Sequence, residues 1–249
     1  MIEICSISAS YGKNRVLSDI SLTVPDGKIT VVAGLNGCGK TTLLRSVAGL
    51  MPYSGTVKVD GTDVKTLGRR ETAKKVAYLA QTKSPSDLTV FRTVLCGRYP
   101  HLPFPHIFTQ SDRDISEEAV NTMNLSDLAD RKTSQLSGGL LQKTSIAMVI
   151  AQQAGNILLD EPTTFLDASS KLQLMNRARL MAEEGKAVFA VLHDLPMALR
   201  YADKVAVIKD GSIFAEGSPE EIYSSGIAEK VFGVKLYRTE VDDGIRYFY

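Results

Sequence analysis

An apolar, largely β-branched run, Ile29-Thr30-Val31-Val32-Ala33, passes without a gap into Gly34-Leu35-Asn36-Gly37-Cys38-Gly39-Lys40-Thr41-Thr42. No other stretch constrains the fold as tightly, because it fits the pattern G-x-x-x-x-G-K-[ST], a loop joining a buried strand to a helix. Backbone N–H groups can wrap a phosphate chain only where side chains are missing, which is the use of Gly34, Gly37 and Gly39. The helix starting near Lys40 aims the positive end of its dipole at the same point. Lys40 offers a point charge to β- and γ-phosphates, and the Thr41 hydroxyl offers a ligand to a bridging magnesium ion. A nucleoside triphosphate with a metal is the implied ligand; a glycine-rich turn without a ligand is the alternative. Leu43, Leu44, Val47 and Leu50 follow at helical spacing.

A chain of 249 residues can bury a substantial core, and one domain with an inserted lobe is expected. Lys and Arg number 29 against 28 acidic residues, with no dense basic run, so nucleic acid is not an expected partner. Cys5, Cys38 and Cys96 lie far apart and fit neither a metal knuckle nor a disulfide framework, which points to a reduced, cytosolic chain. Neither a membrane-spanning run nor a leader pattern is present, so neither insertion nor export is expected.

Along the chain, Ile2, Ile4 and Ile7, then residues 18–24, read as two strands joined through Tyr11-Gly12-Lys13-Asn14, with Tyr11 a strand-end aromatic or a ligand contact. Residues 55–61 alternate like a hairpin strand ending in Asp-Gly, and residues 75–79 are a further strand leading to Gln81. The Gln81 amide could ligate a metal, orient a water or simply be solvated. From Leu88 to about Gln135 strand signals fade into a helical lobe, with a capping box expected at Asp114 and Glu117. Ahead of that box, Pro100, Pro103 and Pro105 forbid regular helix, and Tyr99, Phe104, Phe108, His101 and His106 give a rigid, partly apolar loop. Leu136-Ser137-Gly138-Gly139 opens a helix carrying Ile146, Val149 and Ile150, either a second anion-binding terminus or an ordinary helix entry.

Asn156-Ile157-Leu158-Leu159 runs into Asp160 and Glu161, as a buried parallel strand delivering carboxylates to the ligand edge of a sheet. Neighbours on a strand point to opposite faces, so Asp160 is expected to hold magnesium through water and Glu161 to act as general base. Residues 169–184 read as an amphipathic helix, and residues 187–192 as another buried strand that places His193 at the same edge, for structure or for catalysis. Residues 204–216 make a closing hairpin, and the segment to Tyr249 yields no chemistry.

Taken in this order, the residues resemble the nucleotide-binding subunit of ATP-binding cassette (ABC) transporters over nearly the whole chain. The resemblance implies an α/β fold of P-loop, ABC ATPase type: a RecA-like parallel-sheet core, an N-terminal antiparallel β subdomain and an inserted helical subdomain. Core and β subdomain would occupy residues 1–87 and 146–249, and the helical subdomain about 88–145. It makes Tyr11 the adenine-stacking aromatic, Gln81 the metal and coupling glutamine, Ser137, Gly138 and Gly139 the signature, Leu166 and Asp167 the dimer loop, and His193 the switch histidine. ATP and Mg²⁺ are the implied ligands.

The same resemblance implies a head-to-tail homodimer, each ATP lying between the phosphate loop of one copy and Ser137-Gly138-Gly139 of the other. It places the chain peripherally on the cytoplasmic face of the membrane, against polytopic permease subunits docked near Gln81 and residues 99–106. A substrate-binding protein would be engaged only through those subunits. Gly97-Arg98-Tyr99-Pro100-His101 looks like the importers of iron chelates and cobalamin. One position departs from the family: Leu140 stands where Gln is usual, with an expected modest loss of affinity or rate. An iron–sulfur-cluster assembly ATPase is the rival, opposed by the Pro-rich loop; a regulatory module without turnover is opposed by Glu161 and His193.

Overall fold

The structure is a computed structural model describing residues 1–81, 85–164, 166–241 and 244–249. Alternation of inward apolar and outward polar residues makes β1 (Ile2–Tyr11) and β2 (Asn14–Val24) an antiparallel pair. β3 (Ile29–Gly34) is buried at every position, as a central parallel strand requires, and leads to α1 (Lys40–Val47). The helix stops short of Leu50, because Gly49 takes a left-handed φ of +68° beyond the cap and leaves Leu50 in solvent. β4 (Ser54–Val59) and the short β5 (Thr62–Asp63) turn through Asp60-Gly61 and complete a four-stranded sheet, β2-β1-β4-β5.

A helix not anticipated in sequence, α2 (Arg69–Lys75), absorbs Lys75, so β6 (Val76–Leu79) begins one residue later than expected. The helical lobe packs α3 (Val90–Leu95), α4 (Gln110–Thr122) and α5 (Gly138–Gln152) around Val90, Val94, Val120, Leu125 and Ala147. The start of α4 corrects the expected cap. Thr109 and Asp112 form the capping box, while Asp114 only accepts from Gln110 at 2.8 Å. The reason is tertiary: Asp112 is also pinned by buried Arg98 at 3.0 Å, and Arg98 donates onward to Ala151 O and Gln153. The prolines do exclude α-helix after α3, yet a 3₁₀ turn runs over Cys96–His101 with Pro100 inside it.

The remaining strands and α-helices are β7 (Asn156–Asp160), α6 (Ala168–Glu183), β8 (Ala187–Val191), α7 (Leu195–Tyr201), β9 (Lys204–Lys209), β10 (Ser212–Gly217), α8 (Pro219–Ser224), β11 (Tyr237–Val241) and β12 (Gly244–Phe248). The main sheet has the order β10-β9-β3-β8-β7-β6, parallel except for β10. Its faces are covered differently. Val31, Ala33 and Val188 pack toward Met175, Met181 and Leu195, whereas Val32, Leu158 and Phe189 pack toward Leu43, Leu44 and the β1-β2-β4 sheet. The carboxyl ends of β3, β7 and β8 therefore lie side by side, and the loops leaving them form one edge.

Candidate functional site

Gly34 ends β3 so close to β9 that a Cβ there would sit 2.4 Å from Ile208 O and 2.7 Å from Cys38 Sγ. Gly39, the N-cap of α1, is at φ +106° with no side-chain cap, and a Cβ would meet Leu17 at 2.6 Å. Glycine is thus required at both, and the first N–H groups of α1 are left for an anion. Lys40 is 5% exposed, and its Nζ donates to Gly34 O and Leu35 O at 2.9 Å each. Burial pushes the Cys38 thiol up, so it stays neutral.

Asp160 closes β7 with 1% exposure. Thr41 Oγ1 donates to its Oδ1 at 3.0 Å and the Tyr78 hydroxyl to its Oδ2 at 2.9 Å. Burial raises the Asp160 pKa, and although both hydroxyls lower it, the balance remains upward with Glu161 adjacent. Burial, then the Asp160 charge, raises the Tyr78 phenol as well, which keeps it a proton donor.

The two acids are separated for a reason other than strand alternation. Glu161 has left the strand: it adopts φ +50°, a left-handed conformation costing about 1 kcal/mol. Its N–H donates to Val191 O at 3.1 Å, which holds the turn against β8. The buried carboxylate accepts from Gln81 Nε2 on one oxygen and meets His193 Nε2 on the other. His193 follows β8, and Asp194 behind it caps α7 by accepting from Met197 N at 3.0 Å.

Tyr11, Asn36, Gly37, Gly39, Lys40, Thr41 and Thr42 line one cleft of about 470 Å³ with Gln81, Glu161 and His193. Asp160 lies beneath, behind Thr41. Leu35 and Cys38 face a second cleft, beside the β9–β10 turn. Ser137, Gly138, Gly139 and Asp167 do not line the first cleft. Ser137 caps α5 by accepting from Leu140 N at 3.4 Å, and Asp167 caps α6 by accepting from Ser170 N at 2.7 Å. Leu140 packs with Leu136 against the helical-lobe core. Tyr99, Phe104 and Ile107 form an exposed apolar knob, with the Tyr99 and His106 rings stacked at 5.2 Å. His101 is turned inward, its Nε2 2.9 Å from Gln152 O.

Sequence reading missed Tyr78, Arg45 and Gln142. Arg45 carries its charge near the hydroxyls of Tyr78 and Tyr11, which raise its pKa. Gln142 is buried and donates to Pro162 O, tying α5 to the loop that carries Glu161. A polar side chain at a core position of a predicted helix was the available signal for Gln142. Among the described residues no cluster of three or more His, Cys, Asp or Glu could hold an ion. The oxygen pair of Thr41 and Asp160 suits instead a hard cation that takes few protein ligands and fills its shell with phosphate and water.

A family model described as "ABC transporter" matches residues 17–164. The "Probable siderophore transport system ATP-binding protein YusV" of Bacillus subtilis (strain 168) is 41% identical, covering 94% of this chain and 86% of its own length. The ferric enterobactin transport ATP-binding protein FepC of Escherichia coli (strain K12) is 39% identical, covering 92% and 86%. A nucleotide-free ATP-binding cassette from an ABC transporter superimposes with TM-score 0.83 at 23% identity, over 93% of this chain and 97% of that one. The dimeric structure of a bacterial ABC transporter cassette gives TM-score 0.78 at 26% identity, over 88% and 99%.

Proposed function

The chain belongs to the ABC transporter family, as an ATP-binding subunit whose hydrolysis is coupled to transport, and from that premise we propose how its residues divide the work. The single observation supporting the assignment is the cleft that gathers Tyr11, Lys40, Thr41, Gln81, Glu161 and His193. Tyr11 stacks on adenine, and the N–H groups of residues 34–42 wrap the phosphates. Lys40 transfers its donors from the Gly34 and Leu35 carbonyls to the β- and γ-phosphates. Thr41 and Asp160, with Gln81, hold Mg²⁺, which when bound neutralises charge on those phosphates. Glu161 takes the proton of the attacking water, and His193 and Gln81 fix that carboxylate and the water in line.

Ser137, Gly138, Gly139 and Asp167 act on the nucleotide of a second copy in a head-to-tail dimer. Their position outside their own chain's cleft supports this reading, as does the exposure of Ser137 and Gly138. Among the described residues no helix is long and apolar enough to cross a membrane. The chain associates peripherally with a membrane transporter, and the surfaces at Gln81 and at residues 99–106 dock the permease. The task is import of a metal chelate, an iron–siderophore, haem or cobalamin, and the names of the relatives support the iron–siderophore among these.

Glu161→Gln keeps one acceptor but cannot take a proton. Sizing chromatography with ATP and magnesium should show this variant as a dimer that does not turn over, while the parent is monomeric at steady state. A variant that hydrolyses ATP at the parent rate would overturn the base assignment, and one that binds ATP yet stays monomeric would overturn the shared site. Replacing Tyr99 and Phe104 with Ser should abolish co-purification with the permease while leaving hydrolysis by the isolated subunit nearly intact. Retained assembly with lost hydrolysis would move the knob into the catalytic fold.

A further inference from the structure

We infer that Tyr78 is the positioning residue of the Asp160 carboxylate, fixing the oxygen that Thr41 does not reach. The inference rests on the reading that Asp160 holds the magnesium of bound ATP.

Strand periodicity puts the two groups together. Tyr78 on β6 pairs with Leu158 on β7, and Asp160 lies two residues beyond Leu158 on the same face. That offset is about 6.6 Å along the strand. A tyrosine leaning along the sheet spans it with its hydroxyl, and a phenylalanine in the same place stops one bond short. The face is the one covered by α1, whose first turn brings Thr41 to the other oxygen. Two donors from different elements therefore fix the carboxylate plane, at 3.0 Å on Oδ1 and 2.9 Å on Oδ2. One donor would not suffice, because rotation about the terminal bond of an aspartate is soft.

Arg45, one helical turn after Thr41, brings a positive charge near the Tyr78 hydroxyl. A guanidinium only donates. A cation near the Tyr78 oxygen favours the orientation in which the phenolic proton points to Asp160, as the 2.9 Å bond has it.

The test is a titration of ATP binding, once with magnesium and once in EDTA, on variants made in the Glu161→Gln background so that nothing is hydrolysed. Tyr78→Phe should leave the EDTA affinity within about twofold and cut the gain conferred by magnesium roughly tenfold, as expected for a lost hydrogen bond to a charged group. Arg45→Gln should act in the same direction and less. Asp160→Asn should remove most of the magnesium gain. If Asp160→Asn leaves that gain intact, the metal reading fails and the inference with it. If Asp160→Asn removes the gain and Tyr78→Phe does not, the inference about Tyr78 alone is overturned. An equal fall of both affinities in Tyr78→Phe would make the residue merely structural and overturn it too.

Discussion

Two aspartates stand at opposite ends of the same parallel sheet, and their partners differ in kind. Asp203, at the amino edge, accepts from the Ile29 N–H at 2.8 Å, from Arg179 at 2.9 Å and from Lys28 at 3.3 Å. Burial alone would raise its pKa, but these donors, two of them cations, bring it below the usual carboxylate value. Asp160, at the carboxyl edge, is more deeply buried, accepts from neutral hydroxyls, and is shifted upward. The first charge is already neutralised by the protein; the second is under-compensated. On the proposed function, the buried carboxylate short of positive charge beside the phosphate loop is the one that takes a cation, whereas the fully paired one ties β3, α6 and β9 together.

The sharpest way to break this contrast is through turnover. Glu161→Gln should slow hydrolysis by about 10²- to 10⁴-fold, the range for losing a general base. Steady-state assay of purified protein checks it. Asp203→Asn should leave the rate per folded molecule within about twofold, since nothing it touches lines the cleft.

Stability gives the next effect. Denaturant melts of Asp203→Asn should show a loss of about 1–3 kcal/mol, from hydrogen bonds to charged groups. A loss below measurement would mean that the amino-edge network is ornamental.

The pH dependence sharpens the contrast further, with opposite signs. Asp203 titrates lower in the folded state than in the unfolded one, so its stabilisation is complete above about pH 4 and is lost as pH falls through the depressed value. Asp112 behaves alike: Thr109 and Arg98 outweigh the effect of its burial. Asp160 titrates higher when folded, so it favours folding while protonated and that contribution is lost as pH rises through the raised value. Melts across an acid series should therefore show a shallower acid limb for Asp203→Asn than for the parent.

The smallest effect is expected at neither aspartate. Leu140→Gln withdraws a partly buried side chain from the helical-lobe core and should cost about 1 kcal/mol or less, with turnover rising no more than a few-fold. A large gain in rate would mean that position 140 limits the site across the dimer.

How much of this was legible in the sequence depends on the range of each interaction. The phosphate loop, the strand ending at Asp160 and the hairpin at β9–β10 rest on local pattern, and the chain folds there as its residues indicate. Leu50 continued the helical spacing, but Gly49 was the nearer signal and ended the helix. The capping box moved to Thr109 because Arg98, far off in sequence, holds Asp112. Glu161 was separated from Asp160 by a left-handed turn tied to Val191, a long-range contact that strand alternation does not encode. Tyr78 was hidden for a related reason: its partner is on another strand, and only the register of β6 on β7 puts the two on one face.

The most direct test of the contrast is to melt the parent, Asp160→Asn and Asp203→Asn side by side, without ligand and with saturating ATP in EDTA or in magnesium. Without ligand, Asp160→Asn should be at least as stable as the parent, because it removes an under-compensated buried charge, and Asp203→Asn should be less stable. With ligand, Asp203→Asn should keep the full additional shift that magnesium confers on ATP, and Asp160→Asn should lose most of it. An Asp160→Asn protein destabilised like Asp203→Asn, with its magnesium-dependent shift intact, would contradict the account.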